Sequence, residues 1–253
     1  MNNEILSTAR SSYEPLYKQV KRGIIRGLAK GEWKPGEAIP TEPQLAATFG
    51  VGIATVRAAI GELVAAGVLV RMQGKGTFVT EHNEERIYQH FHVARDDDRM
   101  DLPTSELIWL RQGLADPESA DQLNLPRDES QMTVYRMRNV LRIFGETAVA
   151  SDITVPASIF PDLSPEMITG GGRTLYAVYQ KHYGISIVGT REKLWATNAD
   201  RPIAKLLGLK VGTAVLEMRR TAYTFNGLPV ELRRSFIRTD GYHYLIEEGS
   251  VGP

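Results

Sequence analysis

The sequence has no cysteine, no long apolar run and no net charge at neutral pH. The lack of cysteine excludes disulfides and cysteine-ligated metal centres. No uninterrupted apolar stretch approaches 18 residues, and residues 1–12 lack the charged-then-apolar order of a signal peptide, so we expect a cytoplasmic protein with no membrane partner. Nucleophile motifs and Walker-type phosphate loops are lacking as well, which leaves little indication of catalysis or of a cofactor.

The balanced charge is unevenly distributed along the chain. Residues 1–80 contain 10 Lys and Arg against 6 Asp and Glu, which leaves 20 against 24 for residues 81–253. A basic part joined to an acidic part is typical of a protein that meets a polyanion at one end. Chance is the alternative, because an excess of four charges is small.

Composition and periodicity divide the 253 residues into two predicted domains. A polar segment from Glu81 to Pro103 separates a part rich in helical patterns from a part where short alternating runs are mixed with helical ones. This mixture predicts an α+β fold. We place the first domain at residues 10–80, a linker at 81–91 and the second domain at 92–248.

Two helices are predicted at the start of the first domain. Residues 15–30 form the first, and its expected buried stripe repeats every four residues at Leu16, Val20, Ile24 and Leu28. The second helix opens at "TEPQ", where Thr41 and Gln44 have the spacing of a capping box.

A third helix and a hairpin complete the first domain. The helix is predicted over residues 53–66, with Thr55 and Arg57 projecting outward from its beginning. A helix-turn-helix inserts this end of its second helix into the major groove of DNA. The strands "VLVR" and "GTFV" then flank the turn "MQGKG", whose Lys75 would meet a phosphate. Together these elements predict a winged helix-turn-helix, and an ordinary helical domain ending in a hairpin is the alternative.

The segments "KPGEAIPTEPQLAATFGV", "TVRAAIGELVAAGVL" and "RMQGKGTFV" resemble the DNA-binding domain of the GntR family of bacterial transcription regulators over residues 14–79. The resemblance implies binding of a double-stranded DNA operator. Together with the helix and wing geometry, it gives these candidate contacts: Thr41, Gln44, Thr55, Arg57, Arg71, Gly74, Lys75, Gly76 and Thr77. The family's usual arginines are replaced here by Pro43 and Ile53, which puts the operator sequence in doubt.

The second domain contains two similar predicted hairpins, "VYRMRNVLRIFGETAV" and "LEMRRTAYTFNGLPVE", which hint at an internal duplication. Its segments "RTLYAVYQKHYG" and "NGLPVELRRSFIRTDGYHY" resemble the UTRA ligand-sensing domain of the HutC subfamily. That resemblance implies a mixed α/β, chorismate lyase-like fold that binds a small effector.

Side-chain alternation suggests where the effector would bind. In "YRMRNVLRI", alternation puts Tyr135, Met137 and Asn139 on the core-facing side, and places arginines on the other side that we expect to be solvated. Relatives that sense sugar phosphates carry an Arg-x-Arg pair where this chain has Asn139 and Leu141, and the subfamily's frequent glutamate is Ser151 here. These departures argue against an aminosugar phosphate.

Three further residues are candidates for the effector site. Thr174 precedes a helix whose amides could hold an anion, although it could serve only as the helix cap. Tyr176 matches a tyrosine that lines the pocket in the subfamily. Glu231 lies where relatives keep a glutamate near the effector, but it could equally be a solvated strand residue.

Our hypothesis is that the protein is a ligand-responsive transcription regulator. We expect a repressor that binds a palindromic operator as a homodimer and is released by a small effector. Anionic compounds are among the candidate effectors. One rival is a chorismate lyase-like enzyme fused to a DNA-binding head. Another is a metal sensor using His90 and His92, for which a linker pair is the favoured interpretation because neighbouring ligands are lacking.

Overall fold

The computed structural model of the chain describes residues 14–81, 93–96, 103–128, 132–170 and 174–245. The chain divides into two compact units, residues 1–80 and 81–253. Apart from Glu81, the predicted linker at 81–91 lies outside the described residues, and so do His90 and His92.

Three helices and a two-stranded wing form the first unit. They are α1 (Leu16–Ala29), α2 (Glu42–Phe49), α3 (Ile53–Ala65), β1 (Leu69–Met72) and β2 (Gly76–Val79). Val20, Ile24 and Leu28 of α1 are buried as predicted, but Leu16 is 57% exposed. The prediction for Leu16 was wrong because it is the first residue of α1, and the buried stripe begins one turn later, at Val20.

The junction of α2 and α3 is fixed by local chemistry. Thr41 precedes α2 and its backbone N–H donates to Gln44 Oε1 at 2.9 Å, as the predicted capping box requires. Gly50 then adopts φ 64°, a left-handed conformation that ends α2 and allows the sharp turn into α3. Within the described ranges no single helix is long and apolar enough to cross a membrane; only α2 and α3 together meet that test, across a bend of 111°.

The wing is a short antiparallel hairpin anchored to the chain before α2. Arg71 pairs with Thr77, and Met72 with Gly76, so the turn lies between Met72 and Gly76. Ile39 N–H donates to Thr77 O at 2.9 Å and Ala38 bridges to Phe78. The wing is therefore tied to the segment that leads into the helix-turn-helix.

A six-stranded antiparallel sheet dominates the second unit. Its elements in chain order are β3 (Val93–Arg95), β4 (Thr104–Leu114), α4 (Pro117–Gln122), β5 (Thr133–Ile143), β6 (Glu146–Pro156), α5 (Pro165–Gly170), α6 (Leu175–Tyr183), β7 (Gly189–Asn198), α7 (Arg201–Leu207), β8 (Ala214–Tyr223), β9 (Pro229–Arg238) and β10 (Tyr242–Tyr244). The strand order is β4-β5-β6-β9-β8-β7, and β3 pairs separately with β10.

The large sheet consists of two halves with the same layout, β4-α4-β5-β6 and β7-α7-β8-β9. Each helix begins at an aspartate cap: Asp116 Oδ1 accepts from Ser119 N–H and Asp200 Oδ1 from Ile203 N–H, both at 2.9 Å. Both predicted hairpins form, β5–β6 and β8–β9. The halves meet at the β6–β9 ladder, so the sheet has one internal seam.

Different elements cover the two faces of this sheet. On one face, α6 packs on the half around Met137 and Ile153, and the β3–β10 ribbon packs near Val149. On the other face, α7 packs near Val140, and Leu123, just after α4, packs near Val134. We call the face that bears Met137 and Ile153 the inner face.

The alternation predicted for β5 is confirmed. Tyr135, Met137 and Asn139 are buried on the inner face. On the opposite face, Arg138 makes a two-point ion pair with Asp152, at 2.6 and 2.7 Å. All three arginines of that face are partly exposed and ion-paired.

Candidate functional site

The beginning of α3 presents a small exposed surface. Ile53 and Arg57 are exposed and Thr55 is half-buried, while Val56 behind them is buried against the other helices. The helical period therefore separates residues that hold the domain together from those that can meet a ligand. The predicted DNA contacts Thr55 and Arg57 lie on this surface.

One carboxylate joins that surface to the wing. Glu42, the first residue of α2, accepts from Arg57 Nε at 3.0 Å and from Arg57 Nη2 at 2.9 Å through Oε2. Its Oε1 lies 3.6 Å from Nη2 of Arg71 on β1. The hydrogen bond from Arg57 to this carboxylate, and then its charge, raise the pKa of Arg57 above its ordinary value.

The wing tip is exposed and shaped by glycine. Gly74 and Gly76 have φ of 71° and 118°, conformations that side chains other than glycine rarely adopt. Lys75 between them is exposed, and its N–H donates to Met72 O at 3.0 Å to close the turn. Thr77 is half-buried at the start of the second wing strand. This arrangement presents a cation at the end of a narrow projection.

Thr41 and Gln44 are exposed at the beginning of α2, beside Glu42. Their side chains bond to each other, with Thr41 Oγ1 2.9 Å from Gln44 Oε1. The capping box that holds them therefore also sets the position of Glu42. All nine predicted DNA contacts lie in α2, α3, the wing or the residue before α2, within the first unit.

Strand pairing builds a row across the inner face of the second unit whose members on β9, β8 and β7 are charged. Ile153 of β6 is opposite Arg233 of β9, which is opposite Arg220 of β8. Arg220 is in turn opposite Glu192 of β7. Two arginines thus lie side by side in the row, where the charge of Arg233 acts to lower the pKa of Arg220. Burial is the largest influence and lowers the pKa as well, but the neighbouring Tyr176 and Glu192 outweigh both, so the pKa of Arg220 is raised overall.

Glu231 is fully buried at the centre of a hydrogen-bond network. Its Oε1 and Oε2 accept from Arg233 Nε and Nη2 at 2.9 and 3.0 Å. Tyr179 OH donates to Oε2 at 2.8 Å and Tyr176 OH to Oε1 at 3.4 Å. The alternative of a solvated strand residue was therefore wrong, because Arg233 and two helix tyrosines supply partners that water would otherwise supply.

This network decides which groups are charged. Burial alone would raise the pKa of Glu231, but the charge of Arg233 and the hydrogen bonds from Arg233 and Tyr179 lower it below its ordinary value. Burial and the charge of Glu231 raise the pKa of Tyr179 well above its usual range. Glu231 is accordingly an ionised carboxylate held between neutral tyrosines and a cation.

A second ion pair lies further along the same row. Arg220 Nε donates to Glu192 Oε1 at 2.6 Å, and Tyr244 OH donates to the other oxygen of Glu192. Arg220 is buried and Glu192 is partly exposed. Tyr244 belongs to the β3–β10 ribbon, so this pair connects the sheet edge to the element that covers it.

Asn139 and Ser151 lie in the neighbouring row of the inner face. Ser151 is opposite Ser235, and their hydroxyls are 2.8 Å apart. Asn139 Nδ2 donates to Ser105 Oγ at 3.2 Å, but the buried Oδ1 accepts no hydrogen bond from any described group. A buried acceptor without a donor is costly and uncommon, which marks this atom as a candidate ligand contact.

The structure gives Thr174 and Tyr176 different surroundings. Thr174 Oγ1 accepts from Ala177 N–H at 3.2 Å, so Thr174 acts as the cap of α6; its neighbours 171–173 are outside the described residues. Tyr176 is buried, with the Arg233 guanidinium 5.6 Å from its ring centre. The sheet therefore brings Tyr176 and Glu231 together, and Asn139 near Ser151, while Thr174 has a structural role.

Sequence reasoning missed several members of both sites. Arg233 shares the inner face with Glu231 by simple alternation, so the period of two could have found it. Arg220 and Glu192 depend on the register between distant strands, which no local pattern reveals. Glu42 was inside a quoted motif, but its two arginine partners come from other elements.

Comparison with known proteins defines the class. The family model for bacterial regulatory proteins of the gntR family matches residues 16–79, and the UTRA domain model matches residues 99–243. The chain therefore belongs to the GntR family of transcription regulators and carries a UTRA domain.

Relatives over nearly the whole length are named regulators. The chain is 29% identical over 238 residues to the HTH-type transcriptional repressor NagR of Bacillus subtilis strain 168, covering 91% of this chain and 95% of that protein. It is 27% identical over 240 residues to a protein named as the probable fructoselysine utilization operon transcriptional repressor of Escherichia coli O157:H7, covering 92% and 95%.

Solved structures agree with this fold. The ligand-binding domain of a GntR-family regulator from Bordetella bronchiseptica matches with a TM-score of 0.58 and 31% identity, over 63% of this chain and 97% of that one. PhnF from Mycobacterium smegmatis matches with a TM-score of 0.51 and 23% identity, over 91% and 99%, which shows the fold alone.

The chain is thus a DNA-binding transcription regulator and not an enzyme, and the predicted lyase-like rival receives no support. The metal-sensor alternative is not tested, because His90 and His92 lie outside the described residues. Among the residues that the structure describes, no group of three or more His, Asp or Glu could hold a metal ion.

Proposed function

We propose that the protein is a repressor that binds a palindromic operator as a homodimer in the bacterial cytoplasm and leaves it when a small effector binds the UTRA domain. The names of the relatives support repression. The proposed domain limits are 10–80 and 92–248, with 81–91 between them. The proposal rests on finding two features in one chain. The first unit exposes cations at the start of α3 and at the wing tip, and the second unit has charged residues buried on the inner face of its sheet.

The proposed DNA contacts divide by groove. Thr55 and Arg57 enter the major groove, and Arg57 approaches a guanine edge or a phosphate. Lys75 lies at a phosphate, and Gly74 and Gly76 allow the wing backbone close to the minor groove. Thr41, Gln44, Arg71 and Thr77 surround these groups and face the sugar-phosphate backbone.

Arg57→Ala tests this set of contacts. We expect a tenfold to hundredfold loss of operator affinity, of the order of one lost bidentate contact, with an unchanged melting temperature because Arg57 is exposed. Binding is measured by fluorescence anisotropy on an operator fragment selected from a random-sequence duplex library. Unchanged affinity would remove Arg57 from the interface, and failure to select any duplex would overturn the proposal.

The proposed effector is small and polar. Asn139 Oδ1 lacks a donor, and Ser151 lies opposite it across β5–β6, so we propose that a ligand hydroxyl or ammonium group donates to this oxygen. Tyr176 and Glu231 border the same face. An anionic group on the ligand would be attracted to Arg220 and would replace the partly exposed Glu192 as its ion-pair partner. For Thr174 we propose no direct contact beyond its position at the start of α6, the helix that borders this face.

Asn139→Ala is the matching effector test. A thermal-shift screen of small hydroxylated and anionic metabolites should yield a compound that raises the melting temperature of the native chain and weakens operator binding. Asn139→Ala should reduce the shift, while Thr154→Ala, on the opposite face of β6, should retain it. A full shift in Asn139→Ala would place the effector elsewhere. Light scattering on the eluting protein tests the proposed dimer.

A further inference from the structure

Glu42 is an acidic residue in the middle of a surface proposed to bind a polyanion. Its carboxylate contacts Arg57 of α3 at 2.9 and 3.0 Å and lies 3.6 Å from Arg71 of the wing. By charge alone, it should weaken the attraction between this surface and DNA. Its position therefore calls for a function that offsets that repulsion.

Stability is a poor explanation for the contact. The side chains of Arg57 and Arg71 are 64% and 49% exposed, and exposed ion pairs contribute little to folding. Geometry offers a better explanation, because the capping box of Thr41 and Gln44 fixes the turn from which Glu42 projects. A rigidly placed carboxylate restricts the rotamers of both arginines before DNA arrives.

We propose that Glu42 is a positioning residue that sets the sequence specificity of the winged helix: it holds Arg57 and Arg71 in the geometry that reads the operator and repels duplexes that do not fit. The inference rests on the proposed DNA contacts of these two arginines. In a matched complex the ordered guanidinium groups bind base or phosphate without a further loss of freedom. In a complex with a duplex that lacks the operator sequence, the Glu42 carboxylate still repels the phosphates. The arginines then make no base contacts that could offset this repulsion.

The experiment measures two affinities for each full-length variant, one for the selected operator duplex and one for a length-matched scrambled duplex, over a series of salt concentrations. For Glu42→Gln we expect weaker operator binding, tighter scrambled binding and a specificity ratio reduced about 3- to 10-fold, the cost of reordering one or two long side chains. The salt slope for scrambled DNA should steepen by about one per chain.

Three further variants separate positioning from charge. Glu42→Asp keeps the charge but shortens its reach, so the ratio should fall while the salt slope stays unchanged. Glu62→Gln, whose carboxylate bonds Lys21 Nζ at 2.7 Å, removes the same charge from the same unit and should leave the ratio unchanged. Arg57→Ala tests the contact on which the inference rests.

Each result decides between explanations. An equal rise in both affinities for Glu42→Gln would mean that Glu42 only repels DNA and does not contribute to specificity, and would overturn the proposal. An equal fall with a lower melting temperature would give it a purely structural role, and an unchanged ratio would also overturn it. If Arg57→Ala loses no affinity, the proposed contacts fail together with this inference; if it loses affinity while the Glu42 variants keep the ratio, only the inference fails.

Discussion

Glu231 carries a charge with no exposed surface, and Arg233 is the partner that makes this tolerable. Buried charges are expensive unless paired and hydrogen-bonded, and here both carboxylate oxygens are engaged by Arg233 and by tyrosines of α6. The two tyrosine hydrogen bonds to Glu231 fasten α6 to β9. The helix that borders the proposed effector site therefore depends on this carboxylate and on the ion pair that keeps it charged.

Glu231→Gln should destabilise the second unit strongly. The substitution leaves the buried Arg233 without its counter-charge, and breaking a buried pair in this way costs about 3–5 kcal/mol. Because the pKa of Glu231 is lowered in the fold, its contribution to stability is present above its unfolded pKa of about 4.3 and is lost as pH falls through the folded value.

Urea unfolding at a series of pH values checks this prediction. The difference in unfolding free energy between the native chain and Glu231→Gln should be largest near neutral pH and shrink in acid. Glu118→Gln, at an exposed position in the first turn of α4, serves as the control and should change little. A difference that is constant with pH would contradict the assignment of an ionised Glu231.

At the residue scale, local patterns predicted faces but not partners. Alternation correctly placed Asn139 on the inner face, since that depends only on the pleat of one strand. The state of Glu231 stayed open because its tyrosine partners lie more than 50 residues away in the chain. The exposure of Leu16 was missed because a repeat of four residues shows which face of α1 is apolar, but not at which turn the buried part of that face begins.

At the scale of elements, glycine makes close packing between helices possible in the first unit. A Cβ built at Gly23 of α1 would lie 2.3 Å from Cε1 of the Phe49 ring, so α2 rests where α1 has no side chain. Gly61, within α3, has nothing within 4 Å of such an atom and has no positive φ. The two glycines therefore have different reasons to be present.

Gly23→Ala and Gly61→Ala should shift stability in opposite directions. Gly23→Ala forces the Phe49 ring to move and should cost about 1–3 kcal/mol, as overpacking does. Gly61→Ala should stabilise by about 0.5–1 kcal/mol, because alanine is the better helix former. Chemical denaturation of the two variants provides the comparison, and equal effects would contradict the packing described for α1 and α2.

Elements with a buried face were predictable, and those without one were not. The four strands β5, β6, β8 and β9 were recognised as two hairpins because each pair consists of an apolar run, an aromatic residue with a glycine turn, and a second apolar stretch. The sheet edges β4 and β7 were not recognised, since they are exposed over most of their length and so lack an alternating pattern. Their positions follow from pairing with β5 and β8, which is a long-range property.

At the scale of the whole molecule, the two compact units each bury their own core. We expect calorimetry to show two cooperative transitions. Operator DNA should raise the first unit's transition and an effector should raise the second, because each ligand stabilises the unit that binds it. Glu231→Gln should lower only the second unit's transition and Gly23→Ala only the first. A single transition that shifts as one in every case would show that the units stabilise each other.

The class of protein and the order of its two domains could be predicted from the sequence, because the first unit is marked by local signals: helix caps, glycines at turns and the helical period. The composition of the effector site was accessible only in part. Its central row is assembled from four strands and depends on their relative registers, and one- and two-residue shifts would exchange its members.

In the effector site that we propose, the unmet carbonyl oxygen of Asn139 would affect how the protein distinguishes related metabolites. A hydrogen bond normally adds only about 1 kcal/mol, because it replaces a comparable one, whereas leaving a buried acceptor unmet costs about 1–3 kcal/mol. A compound with a hydroxyl group that donates a hydrogen bond to this oxygen would relieve that cost, and its deoxy or O-methyl analogue would not. Such analogues should therefore be rejected far more sharply than their similarity in shape suggests.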